Sequence, residues 1–186
     1  MKISVFGAGY VGLTTAACLA NLGHSIICID IDKERIKVLE NGKIPFYEPG
    51  LLDLVAQNRK RGRLKFTTNA PEAIEFGEVI FNCVNTPSND NGSADLRYVF
   101  AVAKTIGEHV KEYKVVGNKS TVPPGTARKT AEIIKDNCKQ PINFDLVANP
   151  EFLREGDAIR AFNYPDKIVL GTSSDKAASI MRRVYS

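Results

Sequence analysis

Val5-Phe6-Gly7-Ala8-Gly9-Tyr10-Val11-Gly12 sets three glycines at the spacing G-x-G-x-x-G. An apolar run precedes them, and small residues (Thr14, Thr15, Ala16, Ala17) open a helical stretch behind them. In that context each glycine has a task. Gly7 permits the tight turn, Gly9 lets a pyrophosphate come against the backbone, and Gly12 lets the helix pack close to the strand. Free N–H groups at the helix start then bind the phosphates. Asp30 closes the next apolar run, where a carboxylate accepts the hydroxyls of an adenosine ribose. The same charge would repel the 2′-phosphate of NADP, so the pattern favours NAD. Arg35 could also reach the ribose, and an arginine there is the usual NADP device. Asp32 could be an ordinary N-cap for the following helix.

Three further polar clusters follow apolar runs: Asn85-Thr86-Pro87-Ser88, Lys119-Ser120-Thr121-Val122-Pro123-Pro124-Gly125-Thr126, and Asn149-Pro150-Glu151-Phe152-Leu153-Arg154-Glu155-Gly156. Ligands collect at the carboxyl ends of parallel strands, on the edge that carries the glycine loop. Loops are polar and turn-rich in any case, so each cluster alone is also compatible with a plain connection. Glu151 and Glu155 are four apart and would project to one side of a helical turn. Glu155 is equally readable as a first-turn helix acid that the macrodipole favours.

The elements that must position these residues alternate. Candidate strands are Lys2–Phe6, Ser25–Asp30, Leu64–Thr67, Val79–Val84, Tyr113–Asn118, Asp145–Ala148 and Lys167–Leu170. Candidate helices lie near Val11–Leu22, Lys33–Asn41, Gly50–Arg61, Pro71–Phe76, Leu96–Val110, Thr126–Cys138 and Asp157–Phe162, with a last one from about Ser174. This rhythm predicts right-handed βαβ units. Strands that are apolar almost throughout predict cover on both faces. The expected fold is α/β, a doubly wound, mostly parallel sheet of Rossmann type, with residues 1–186 forming one dinucleotide-binding domain. Asn69 ahead of Pro71 and Glu72, Asp95 ahead of Leu96, and Gly42 after the Lys33 helix are the expected boundary residues.

Composition excludes other classes. Of the 186 residues 44% are hydrophobic and 25% charged, so the chain is neither disordered nor low-complexity. A net charge of +4 is too small to argue for nucleic acid. Cys18, Cys28, Cys83 and Cys138 form no C-x-x-C pair, and only His24 and His109 could join them, so no metal site is expected. Free thiols suit a reduced, cytoplasmic compartment. The uncharged stretch from Ile3 to Gly23 superficially resembles a signal peptide, but four glycines break it. No membrane segment is expected elsewhere.

Taken together the motifs resemble a family. Phe6–Leu13, Pro45-Phe46-Tyr47-Glu48-Pro49-Gly50-Leu51, Val84-Asn85-Thr86-Pro87, Lys119-Ser120-Thr121-Val122-Pro123, Asn149–Gly156 and Tyr164-Pro165-Asp166-Lys167-Ile168-Val169-Leu170-Gly171 are similar, in order, to the NAD-binding N-terminal domain of the UDP-glucose/GDP-mannose dehydrogenase family, most closely its UDP-glucose 6-dehydrogenase branch. That resemblance implies oxidation of UDP-glucose at C6 to UDP-glucuronate with two NAD+. A cysteine traps the aldehyde stage as a thiohemiacetal, and a thioester is then hydrolysed. It implies NAD contacts for Gly7, Gly9, Tyr10, Val11, Gly12, Asp30, Arg35, Thr86, Thr121 and Glu155. On this basis Arg35 is a ribose or adenosine contact. Thr121 helps hold a water near the nicotinamide, and Glu151 assists proton transfer and thioester hydrolysis. Glu151, Phe152, Leu153 and Arg154 border the UDP-sugar. GDP-mannose or a UDP-N-acetylhexosamine is the alternative substrate, and a non-catalytic NAD-binding module the alternative class.

The departure lies in what is missing. The family's nucleophilic cysteine belongs to a later G-F-G-G-x-C-F motif that does not occur here, and Cys83 is no substitute. The expectation is therefore a fragment, inactive alone, without the central helix and the C-terminal sugar-nucleotide domain. The full-length protein is expected to be a homo-oligomer.

Overall fold

The computed structural model describes residues 1–186. Six strands, β1 (Lys2–Phe6), β2 (Ser25–Ile29), β3 (Leu64–Thr67), β4 (Val79–Asn82), β5 (Lys114–Asn118) and β6 (Phe144–Ala148), form one parallel sheet in the order β3-β2-β1-β4-β5-β6. Eight helices accompany them: α1 (Tyr10–Asn21), α2 (Lys33–Glu40), α3 (Leu51–Lys60), α4 (Ala70–Phe76), α5 (Arg97–His109), α6 (Thr126–Asn137), α7 (Ala158–Asn163) and α8 (Asp175–Val184).

Period-two alternation explains why the strands are apolar throughout. Ile3 and Val5, Ile26 and Cys28, Val79 and Phe81, and Val115 turn to one face. There they meet Leu13 of α1, Leu39 of α2, Val55 of α3 and Met181 of α8. Phe6, Ile27, Ile29, Ile80 and Val116 turn to the other face, against Ile74 of α4, Ile106 of α5 and Ile134 of α6. Each strand thus feeds two cores, and the sheet is doubly wound.

The strand order reverses between β1 and β4, and such a reversal opens a crevice at the strands' carboxyl ends. Caps aim the chain at that edge. Asp32 accepts the N–H groups of Glu34 and Arg35, Asn69 accepts that of Glu72, and Ser174 accepts that of Ala177. Gly42 takes φ +74° just past α2.

Two expectations need correction. Lys167–Leu170 is not a strand. The segment runs antiparallel to β6 and meets it only through the reciprocal Ala148–Gly171 pair, leaving Ile168 and Val169 exposed. β6 ends at Ala148, where the Gly171 pair lies, so Ile168 and Val169 run past its end and no ladder forms. Asp95 does not cap α5 in the usual way. Leu96 is the N-cap, and Asp95 instead accepts the backbone N–H and guanidinium of Arg97.

Candidate cofactor site at the strand-order reversal

Gly7 leaves β1 at φ +99°, and a Cβ there would lie 2.9 Å from the Cys83 carbonyl oxygen. A Cβ on Gly12 would overlap the Gly7 carbonyl oxygen. These two glycines let β1, the loop after β4 and α1 close on one another. Gly9 is different: a Cβ would meet only Asn85 Oδ1, at 3.6 Å. Its bareness leaves space on the open side of the loop. Gly9 is also the N-cap of α1 and supplies no side-chain acceptor, and no acid occupies the first turn. The opening N–H groups of this helix, with Tyr10 and Val11 half-buried in its first turn, are left for an anion.

A cavity of about 450 Å³ opens beside this loop, lined among others by Gly7, Gly9, Asp30, Arg35, Asn85 and Tyr98. Asp30 is 8% exposed at its floor. One carboxylate oxygen accepts from Ala8 N at 2.8 Å and Arg35 Nη1 at 3.1 Å, and the other accepts from Asp32 N at 3.0 Å. Asp30 therefore holds the glycine loop as well as facing the cavity. Arg35 is drawn onto Asp30, with Asp32 3.9 Å away.

The loops after β4 and β5 are laced together. Ser120 donates to the Val84 carbonyl at 2.6 Å, and Thr86 donates to that of Thr121 at 3.1 Å. Thr86 and Thr121 thus stand side by side, with Thr121 exposed on the carboxyl edge.

Glu151 and Glu155 share the loop between β6 and α7, but no helical turn joins them. Glu151 folds back to accept the Leu153 N–H, Glu155 is exposed in a turn, and α7 starts only at Ala158. Their four-residue spacing therefore does not put them on a common helix face. Pro150 and Gly156, with φ +85°, keep this stretch irregular. Phe152, Leu153 and Arg154 line a second, polar cavity of about 520 Å³ with Arg160, Tyr164 and Lys167.

Two groupings were not anticipated, although Glu48, Lys119 and Asn149 stand in the motifs quoted above. Glu48 is 3% exposed and accepts from Tyr10, Gly156 N and Ala158 N. Burial pushes its carboxyl pKa up, but these donors outweigh burial and hold it below the usual value. The Tyr10 phenol is pushed up by burial and by Glu48. An acid between Pro45 and Pro49-Gly50, in a loop too irregular to expose it on a helix face, was the available signal. Lys119, Asn149 and Tyr185 form the other group, a buried polar cluster beneath the β5 and β6 loops. Cys83 lies 4% exposed beside the glycine loop, its thiol pushed up to about 12 by burial, against Lys119 and with Glu151. Burial thus disfavours the thiolate, the nucleophilic form.

Residues 1–186 match the NAD binding domain of the UDP-glucose/GDP-mannose dehydrogenase family from end to end. The chain belongs to that family. It is 48% identical, over 99% of its length, to UDP-glucose 6-dehydrogenase TuaD of Bacillus subtilis (strain 168), of which it covers 40%. Among solved structures it superposes on a UDP-glucose dehydrogenase from Pyrobaculum islandicum with a TM-score of 0.96 and 39% identity. A GDP-mannose dehydrogenase from Pseudomonas aeruginosa gives a TM-score of 0.95 and 38% identity. All of this chain and 44% of each of those chains are covered. The chain thus spans about two fifths of the length of these family members. The bare helix start, the open side of Gly9 and the adjoining cavity fit the nicotinamide dinucleotide that the family binds.

Proposed function

We propose that this chain is the cofactor-binding part of an NAD-dependent UDP-glucose 6-dehydrogenase. The observation that carries the reading is the gathering of the glycine loop, Asp30, the Thr86–Thr121 pair and the Glu151 loop on one sheet edge. The opening N–H groups of α1 hold the pyrophosphate, and Asp30 with Arg35 holds the adenosine ribose. Gly7, Gly9, Tyr10, Val11 and Gly12 shape the cradle. NAD held there would supply the hydride acceptor for the sugar. Thr86, Thr121 and Glu155 flank the nicotinamide end. Two oxidations at C6 remove two hydrides and two protons, and a water supplies the second carboxylate oxygen. Thr121 helps hold that water, and Glu151 accepts its proton as it attacks. Phe152, Leu153 and Arg154 border the UDP-sugar. The cysteine that carries the acyl group lies outside this chain, in a longer, homo-oligomeric cytoplasmic enzyme.

The similarity to a GDP-mannose dehydrogenase supports a second substrate reading, GDP-mannose or a UDP-N-acetylhexosamine. A purely NAD-binding module is disfavoured because Thr121 and Glu151 would have no task in it. The test has two arms. Calorimetry on the chain is expected to show NAD binding that Asp30→Ala weakens, with little or no turnover. The full-length protein is expected to oxidise UDP-glucose ahead of GDP-mannose and UDP-N-acetylhexosamines. Robust turnover by the 186-residue chain, or a preference for another sugar, would overturn the corresponding part.

A further inference from the structure

Glu48 is a buried acid with no cation beside it. Its side chain instead gathers three neutral donors: the Tyr10 hydroxyl, Gly156 N at 2.8 Å and Ala158 N at 2.9 Å. Those donors are distant in sequence and belong to different parts of the site. Tyr10 is the first residue of α1, directly after the glycine cradle. Gly156 and Ala158 close the loop that carries Glu151 to Glu155 and start α7.

The local chain cannot do this work alone. Asp157 is the N-cap of α7, yet its side chain makes no capping bond. Glu48 supplies the missing acceptor from 110 residues away. The Tyr10 hydroxyl also lies 3.2 Å from the Arg154 carbonyl oxygen, so the same phenol touches both the acid and the loop it holds. The Tyr10 ring packs on Phe46, with centroids 5.3 Å apart, which fixes the phenol over Glu48. Gly50, at φ +76°, turns the chain out of the Glu48 segment into α3, close enough to α7 that a Cβ there would meet Ile159 at 3.6 Å. The Glu48 segment is therefore wedged between the start of α1 and the start of α7.

We propose that Glu48 is a positioning residue that, through Tyr10, couples the dinucleotide cradle to the sugar-nucleotide loop at Glu151–Gly156. This rests on the function proposed above and deepens it. A dinucleotide that fixes the first turn of α1 fixes Tyr10, and Glu48 passes that constraint to Gly156 and Ala158. A coupling of this kind is reciprocal, so each ligand strengthens the other by the same factor.

The experiment uses the full-length protein with Glu48→Gln and Tyr10→Phe. In the wild type, saturating NAD is expected to tighten UDP-glucose binding, measured by calorimetry. Glu48→Gln keeps the shape but sets an amide N–H₂ against N–H donors. It is expected to weaken UDP-glucose binding to the NAD-saturated protein, and NAD binding to the UDP-glucose-saturated protein, by the same factor of about ten, with either ligand alone affected far less. Tyr10→Phe leaves Glu48 its two backbone donors and removes only the link to α1, so it folds even if Glu48→Gln does not. It is expected to reduce the coupling factor towards one. Independent binding in the wild type, or losses in Glu48→Gln that are the same with and without the other ligand, would overturn the inference. If no nucleotide sugar is bound at all, the proposed function fails. Amide exchange at Gly156 and Ala158 then still decides: slowing on NAD binding in the wild type but not in Tyr10→Phe supports the link, and no slowing in the wild type overturns it.

Discussion

Tyr185 donates its hydroxyl to Asn149 Oδ1 at 2.6 Å, and the ammonium of Lys119 lies 3.2 Å from that hydroxyl oxygen. Lys119 is 4% exposed and has no carboxylate partner. Its charge is met by Asn149 at 3.4 Å and by the rings of Phe81 and Tyr185, each 5.7 Å from the nitrogen. Asn149 in turn donates to the Val169 carbonyl at 2.9 Å. One buried cluster therefore ties the ends of β5 and β6, the 169 segment and the end of α8 together, directly below the Thr121 and Glu151 loops.

Removing the phenol oxygen tests this tie. Tyr185→Phe takes one buried hydrogen-bond partner from each of Lys119 and Asn149. It should cost about 1–3 kcal/mol of stability, seen as a lower urea midpoint with an unchanged slope. An unchanged midpoint would mean that solvent replaces the hydroxyl.

Asp30 is expected to govern the choice of dinucleotide. Its carboxylate faces the cavity while carrying Arg35, so a 2′-phosphate would meet a negative charge whose nearest cation is already engaged. Like charges brought together cost several kcal/mol, so NADP should bind at least about a hundredfold more weakly than NAD. Asp30→Ala should weaken NAD about tenfold or more and narrow that gap, because the repulsion goes and Arg35 is released. Titration of both dinucleotides against both proteins is the check. An equal loss for the two would show that Asp30 only braces Ala8.

Much of this was legible in the sequence because local and global signals agree. Gly7, Gly12 and Asp30 stand at fixed offsets from strand ends, and the strand runs are apolar on both faces. Asn69 and Asp32 cap helices through bonds two or three residues away, which spacing alone can anticipate. The misses are long-range. Glu48 meets Ala158 across 110 residues and Lys119 meets Tyr185 across 66, and no periodicity encodes such a meeting. Ile168 and Val169 have strand propensity but no strand edge beside them, and propensity does not report the presence of a partner. The Glu151–Glu155 turn fails for a related reason: Glu151 bonds the Leu153 backbone and competes with helix formation.

Gly12→Ala should be the most damaging single methyl in the molecule. The added carbon would overlap the Gly7 carbonyl oxygen and crowd the Cys83 side chain, 3.3 Å away. A backbone oxygen cannot rotate aside, so the loop must shift. The expected result is a loss of about 1–3 kcal/mol or more, together with loss of detectable NAD binding. Retained binding in calorimetry would mean that the cradle is more plastic than its packing implies.

Acid should loosen the opposite end of the sheet. His24 is 7% exposed, with one ring nitrogen 2.8 Å from the Val184 carbonyl oxygen and the other 3.2 Å from the Met1 ammonium. Burial lowers its pKa, the Val184 carbonyl opposes that, and the Met1 ammonium adds to the lowering. The neutral ring uses both nitrogens, donating to Val184 and accepting from Met1. A base whose folded pKa lies below its unfolded value of about 6.5 contributes stability that is full above that value and lost as the pH falls through the folded pKa. Urea midpoints should therefore fall between pH 7.5 and 5.5, with α8 loosening first because Val184 is its last residue. His24→Gln keeps a donor for Val184 but cannot titrate, so it should flatten this part of the profile. The same slope in both proteins would assign the acid sensitivity to the carboxylates.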